Sequence, residues 1–121
     1  SGGILAILCY MKYYFLSVGI KQILKMKSGI ELIAEERAEQ LSKHNRTVEK
    51  DVRENGSYQL AIGASKLLAY PAECHNYQLP PTGWSVDIYK KMRDKPYKER
   101  LIIAGALIAA ELDRLQAGGE K

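Results

Sequence analysis

The feature that most constrains the fold is an uncharged stretch of ten residues, 101–110, inside a longer helical pattern. Pro96 precedes the pattern and Gly118 follows it, and both residue types commonly bound helices. Ten residues give about 15 Å of helix, half the thickness of a bilayer's hydrocarbon core. Apolar residues occur all around this helix. The pattern therefore predicts a central helix over about 96–116, packed by other helices, and not a membrane span.

The first helical pattern of the body begins after Ser28, a candidate N-cap with Glu31 as its capping-box partner. It predicts a helix over residues 29–43. Apolar residues recur on one side, which is expected to pack on the core. The predicted inward stripe consists of Ile30, Ile33, Ala34, Ala38 and Leu41. The opposite side carries charged residues and is interpreted as solvated.

Two more helical patterns lie between this helix and the last one. The turn signal Asn55-Gly56 precedes a helix predicted over residues 58–70, which a proline ends. A short helix is predicted over residues 84–93. Ser57 and Asp94 are the candidate N-caps of the 58–70 helix and of the last helix. No alternating strand pattern occurs. The sequence therefore predicts an all-α fold, a small bundle of three main helices plus one or two short helices.

The positive charge is unevenly placed along the 121-residue chain, whose length allows one domain. The net charge is +4, but residues 1–25 hold three lysines and no acid, which leaves residues 26–121 with a net charge of +1. A nearly neutral body argues against a nucleic-acid partner.

Residues 1–25 are a separate problem, because their apolar runs are too short for a membrane span. Three interpretations stay open: translated sequence upstream of a natural start at Met26, an amphipathic helix that packs on the body, or an interfacial anchor. We divide the chain into an N-terminal extension, residues 1–25, and a single helical domain, residues 26–121. Cys9 and Cys74 lie far apart without metal-binding spacing, which favours reduced thiols and a cytoplasmic location.

Acidic side chains are the candidates for chemistry. Glu35, Glu36 and Glu39 lie within one helical turn, where carboxylates three or four residues apart share a face and can chelate Mg²⁺ or Mn²⁺. Asp51 and Glu111 add acids from other elements, so these five residues are the candidate metal ligands. The competing interpretation is a solvated face of charges that needs no cofactor.

Three further features each have a structural and a functional interpretation. Glu111 directly follows the uncharged stretch, and we favour a local ion pair with Arg114 at the rim of the core over a position facing a cleft. Trp84, the only tryptophan, is expected to be a packed anchor and not a ligand platform. A basic cluster before the last helix is interpreted as a solvated face. Its members are Lys90, Lys91, Arg93, Lys95, Lys98 and Arg100.

Four segments together resemble a group of small phage and prophage proteins found in gut Bacteroidetes. The segments are GIELIAEERAEQLSKHNRTVEKDV, YQLAIGASKLL, GWSVDIYKKM and KPYKERLIIAGALIAAELDRLQ. The group's E-R-x-x-Q motif falls on Glu36, Arg37 and Gln40, and its A-G-A-L-I-x-A-E helix falls in the last segment. The resemblance covers residues 28–116. It implies a helical fold and a mobile-element context but no particular chemistry.

The chain departs from the group's pattern at two positions. Asn45 stands where the group has a turn glycine, and asparagine also adopts the left-handed conformation. Val52 stands where the group has the second acid of a pair, which leaves Asp51 alone. Motif and acids together define a candidate functional cluster. It consists of Glu36, Arg37, Gln40, Asp51, Trp84 and Glu111.

The sequence favours a phage-type accessory protein, a small helical module that acts by binding a protein partner or by self-association as a homo-oligomer. It contains no nucleophile–base pair and no glycine-rich phosphate loop. The alternative is a metal-dependent nucleotide pyrophosphohydrolase that uses helical carboxylates with Mg²⁺ or Mn²⁺. Glu36 and Glu39 fit the E-x-x-E half of that enzyme's signature, while the last helix offers only Glu111 and Asp113, two residues apart.

Overall fold

The computed structural model describes residues 26–69 and 79–118, and this part of the chain folds into five helices with no strand. The helices are α1 Gly29–Ser42, α2 Val48–Glu54, α3 Gln59–Ala69, α4 Val86–Arg93 and α5 Tyr97–Ala117. Three are long and two are short, so the predicted all-α bundle is confirmed. None of these five helices is long and apolar enough to cross a membrane. The extension of residues 1–25 lies outside the described residues.

Helix α5 is the centre of the bundle, as its uncharged stretch predicts. It packs most extensively on α3, then on α1 and α2, and least on α4. Ala104, Ala106 and Leu107 are fully buried within it. The remaining core side chains come mainly from α3 and α4. They include Leu60, Ala64, Leu67, Tyr89 and Met92. Full burial of one leucine side chain contributes about 1.5–3 kcal/mol, so this contact supplies much of the stability of the fold.

Small residues on α5 let neighbouring helices approach closely. A side-chain carbon at Gly105 would overlap the side chain of Ile33, so α1 lies directly against this glycine. The other end of α5 is joined to α3 by Arg100. Its guanidinium donates to the backbone oxygens of Leu67 at 2.9 Å and of Lys95 at 3.1 Å. A cation thus satisfies a carbonyl in the last turn of α3, where the helix dipole favours positive charge.

The position of Arg100 corrects one prediction. The basic cluster was expected to be a solvated face, but Arg100 is buried, because its guanidinium has these backbone oxygens as partners. The lysines of the cluster are exposed as predicted.

The N-caps follow the prediction at one helix and differ at two. Ser28 accepts from the Glu31 N–H at 3.1 Å and caps α1 as predicted. Pro96, and not Asp94, occupies the N-cap position of α5, while Asp94 ends α4. Tyr58, with φ 66°, precedes α3, and the Ser57 N–H donates to the side chain of Gln59 instead of Ser57 capping the helix. The predicted turn at Asn55-Gly56 is thus followed by a left-handed residue, Tyr58, directly before α3.

Helix α1 differs most from prediction, because its buried face is rotated by about a quarter turn from the expected stripe. Ile30 is 82% exposed, and Ala34, Ala38 and Leu41 are exposed as well. The buried side chains are Arg37 and Gln40. Polar residues occupy this face because α1 packs over α5 beside the acidic residues of α2 and α5, so hydrogen bonds and charge pairs decide its orientation.

A candidate binding cleft

Two adjoining cavities form a cleft between α1 and α4. The first has a volume of about 240 Å³ and extends to α2, which contributes Lys50, Asp51 and Glu54 to its lining. The second, of about 590 Å³, lies between α1 and α4 and reaches Ile102 and Ile103 of α5. The two cavities share four lining residues. These are His44, Arg46, Ile88 and Met92. We refer to both cavities together as the cleft.

Asp51 is the most unusual residue of the cleft. Only 4% of its surface is exposed, although it lines the first cavity. Its Oδ1 accepts a hydrogen bond from Asn55 at 2.8 Å, whereas Oδ2 has no partner among the described residues. Burial raises the pKa of this carboxyl above its ordinary value, against the opposing effects of Asn55, Arg37 and Arg46. A buried carboxylate with one unused acceptor is costly in the absence of a partner.

A hydrogen-bonded chain fixes Asp51 to the core. The indole Nε1 of Trp84 donates to Oδ1 of Asn55 at 2.9 Å, and Asn55 in turn donates to Asp51. Trp84 packs against the hydrophobic core, where its six-membered ring fills the space that a side chain at Gly63 would need. The predicted packed anchor is therefore confirmed. The same ring also lines the first cavity.

Arg46 lies between the two cavities and lines both. It is half-buried, and its guanidinium has no ion pair or hydrogen bond with any described residue. Burial lowers the pKa of Arg46, while the carboxylates of Asp51 and Glu36 act in the opposite direction. The left-handed turn at Asn45, with φ 50°, directs the chain so that the Arg46 N–H donates to the backbone oxygen of Gln40 at 2.9 Å.

Two of the three E-R-x-x-Q residues of α1, Glu36 and Gln40, lie at the wall of the cleft. Gln40 is 1% exposed, and its Nε2 donates to Glu36 at 3.4 Å, but its Oε1 has no partner among the described residues. Arg37 is buried and pairs with Asp113 at 3.3 Å through one nitrogen only. Its Nε and Nη1 have no described partner. Glu36 and Gln40 line the second cavity, whereas Arg37 lines neither.

Glu111 forms the local ion pair that the sequence predicts. Arg114 donates to its two carboxylate oxygens, at 2.9 Å and 2.6 Å. Both residues are buried, so the pair lies inside the bundle and not at its rim. Glu111 does not line the cleft, although it is close enough to Asp51 to raise the pKa of that carboxyl further.

The five predicted metal ligands do not form one group. Glu35 pairs with Lys27 at 2.8 Å, and Glu39 pairs with Lys43 at 3.1 Å. Glu36, Asp51 and Glu111 each have the partner described above. Within residues 26–69 and 79–118, no three His, Cys, Asp or Glu side chains are placed to hold a metal ion.

The structure thus brings four residues of the candidate cluster to the cleft, namely Glu36, Gln40, Asp51 and Trp84. Sequence reasoning missed Arg46, for which the preceding Asn45 turn is the available signal. No protein-family model matches the chain, and no match was found among curated proteins or solved structures.

Proposed function

We propose that this protein is a small helical binding module and that the cleft is its binding site. One observation carries the proposal: the Asp51 carboxylate is buried at the cleft with an oxygen that no described residue satisfies. Buried polar atoms are nearly always hydrogen-bonded in folded proteins, so each exception calls for an explanation. A ligand that donates to this oxygen provides one.

The rest of the cleft supports the same conclusion. Gln40 adds a second buried acceptor without a described partner, and Arg46 adds a half-buried guanidinium without one. Proteins tolerate such unsatisfied groups where function requires them, because their removal commonly increases stability. The resemblance to phage and prophage proteins suggests the context in which such a module acts.

The alternative enzyme, a metal-dependent nucleotide pyrophosphohydrolase, is less well supported by this arrangement. Its catalysis would need two or more carboxylates directed at one Mg²⁺ or Mn²⁺. Glu35 and Glu39 are each paired with a lysine instead. Binding without hydrolysis is therefore the function that the geometry favours.

A fragment screen by ligand-observed NMR tests the proposal. Ile88 lines both cavities and is 49% exposed, so Ile88→Trp is expected to fill the cleft without disturbing the core. Val86 lies on the same helix, is 60% exposed and lines neither cavity, which makes Val86→Trp the matched control. We expect fragments that bind the wild type and Val86→Trp but not Ile88→Trp. Equal binding to all three proteins would contradict a site in the cleft.

A second candidate function, self-association, is supported by the outer face of α5. Leu101, Ile108 and Leu112 are 38%, 47% and 57% exposed and lie along one side of the helix. An apolar stripe on an otherwise buried helix is typical of an interaction surface. We propose a second copy of this chain as its occupant.

The stripe fits an antiparallel pair of α5 helices. A two-fold axis near the middle of the stripe sets Leu101 against Leu112 of the second copy. The stripe is about 17 Å long, so this contact buries less surface than a standard protein–protein interface. The dimer is therefore expected to be weak.

Sedimentation at increasing concentration tests this second candidate. The wild type should show a concentration-dependent shift towards dimer, and Ile108→Glu should remain monomeric. Ile62→Glu, at a 41% exposed site on α3, is the control and should behave like the wild type. A wild type that stays monomeric at millimolar concentration would exclude the interface.

A further inference from the structure

The charges that face the cleft are mixed in sign. Basic side chains come from the turn before α2, from α2 itself, from α4 and from the turn after α4, and acidic ones come from α1, α2 and α5. The basic residues are His44, Arg46, Lys50, Lys91 and Lys95, and the acidic ones are Glu36, Glu39, Asp51, Glu54 and Glu99. A ligand with only a negative charge would be repelled by Asp51, and a ligand with only a positive charge would be repelled by Arg46. A ligand with both charges satisfies both.

The unused hydrogen-bonding atoms define what the ligand must offer. Asp51 Oδ2 and Gln40 Oε1 are acceptors and therefore need N–H or O–H donors. The Arg46 guanidinium is a donor that suits a carboxylate or a phosphate, which it can bind through two nitrogens. The ligand must accordingly carry both donor and acceptor groups.

The spacing of Asp51 and Arg46 limits the length of that molecule. Both side chains line the first cavity, yet they form no ion pair within 4.0 Å. A ligand in this cavity that pairs with both needs two charged groups separated by few bonds. An ammonium and a carboxylate on one carbon atom meet this requirement.

One part of the lining of the first cavity is apolar. Leu60, Trp84, Ile88 and Met92 surround the space beside Asp51. Its volume of about 240 Å³ is below the range of about 300–1,000 Å³ that drug-sized ligands occupy. An uncharged, apolar side chain is the group that this wall accommodates.

We propose that the cleft binds a free α-amino acid with an apolar side chain, its ammonium donating to Asp51 and its carboxylate accepting from Arg46. Trp84, Leu60 and Met92 contact the side chain. This inference rests on the proposed function of the cleft and adds the class of ligand.

Isothermal titration and amide NMR with three sets of probes test the inference. The first set is leucine, methionine and phenylalanine. The second removes one charge at a time, with isobutylamine and 4-methylpentanoate. The third consists of adenosine and guanosine monophosphates, because Arg46, Lys91 and Trp84 are also the types of residue that bind phosphate and stack on bases.

We expect saturable binding of at least one amino acid in the first set and weaker binding of the single-charge probes by about tenfold or more. Asp51→Asn and Arg46→Gln should each weaken binding by a similar factor. Glu49→Gln, which alters an exposed acid of α2 that lines neither cavity, should stay within about twofold of the wild type. Thermal melting of each variant confirms that it is folded.

The outcomes distinguish the claim that the cleft is a binding site from the claim that its ligand is an amino acid. Binding of the monophosphates but not of the amino acids would overturn the amino-acid assignment and leave the cleft as a binding site. Amino-acid binding that Asp51→Asn and Arg46→Gln leave unchanged would also overturn it. A third outcome is that fragments bind the cleft in the screen that compares the wild type with Ile88→Trp, while no amino acid binds. This outcome would reject the amino-acid class of ligand and retain the proposed binding module.

Discussion

Helix α5 makes two very different contacts on two of its faces. Towards α3 it presents Ile103, Ala104 and Leu107, which meet leucine and alanine side chains in a close-packed core. Towards α1 and α2 the buried residues are largely charged or polar. They are Arg37, Gln40, Asp51, Glu111 and Arg114. One helix thus joins an apolar contact to a polar one.

This difference indicates that the apolar contact maintains the fold and that the polar contact is available for function. Apolar burial stabilises in proportion to area, whereas buried charges at best offset their own loss of hydration. Several polar atoms of the second contact also have no described partner. If stability alone had shaped it, apolar side chains would serve better at these positions.

The largest expected effect lies in the apolar contact. Leu107 is fully buried at the centre of α5, so Leu107→Ala should lower the free energy of unfolding by about 2–5 kcal/mol. Urea denaturation followed by circular dichroism measures this loss. A loss under 1 kcal/mol would mean that the α3–α5 contact is not the main source of stability.

The buried ion pair should give the next effect. Glu111→Gln leaves the Arg114 guanidinium without its carboxylate and should cost about 1–3 kcal/mol. The double change Glu111→Leu with Arg114→Leu should cost less than Glu111→Gln, because it removes both charges of the pair. The same denaturation experiment compares them, and a double variant less stable than the single one would show that the pair itself stabilises the bundle.

Asp51→Asn should keep or increase stability at pH 7, in contrast to both changes above. Because burial raises the pKa of Asp51, the folded state holds its proton more tightly than the unfolded state does. Stability due to this group is therefore greatest below its ordinary pKa of 3.8 and falls as pH rises through the raised value. Melting curves from pH 3 to pH 8 should show the advantage of Asn growing with pH. A destabilised variant at pH 7 would make Asp51 a structural residue.

The smallest effect is expected at Ile30, which the hydrophobic pattern places in the core. Since it is 82% exposed, Ile30→Ser should change the free energy of unfolding by no more than about 0.5 kcal/mol. Ile33→Ser, three residues along the same helix, removes the contact with Gly105 and should cost clearly more. Equal losses in the free energy of unfolding for the two variants would instead support the inward stripe predicted from the sequence.

The apolar contact could be predicted from sequence, and the polar one could not. The uncharged stretch of α5 is stable only in the interior of the bundle. A cap such as Ser28 can be recognised because its hydrogen bond is to a residue close to it in sequence. The orientation of α1 depends on partners distant in sequence. Arg37 pairs with Asp113, 76 residues away, and no local pattern contains that information.

The candidate site was predictable only in part for the same reason. Asp51 and Glu36 stood out as acids, but their separation into different parts of one cleft results from tertiary packing. Arg46 had no distinguishing motif, because its place at both cavities is visible only after folding. The ion pair of Glu111 was predictable, since its partner lies three residues away.

The position of Trp84 has an optical consequence. It is the only tryptophan in the chain, so the intrinsic fluorescence of the protein at long excitation wavelengths comes from a single indole. That indole touches Gly63 in the core at one edge and is bonded to Asn55, next to Asp51, at the other. Its emission spectrum should therefore shift when the polarity of the cleft changes and again, separately, when the core opens. One unlabelled chromophore can follow both contacts of α5.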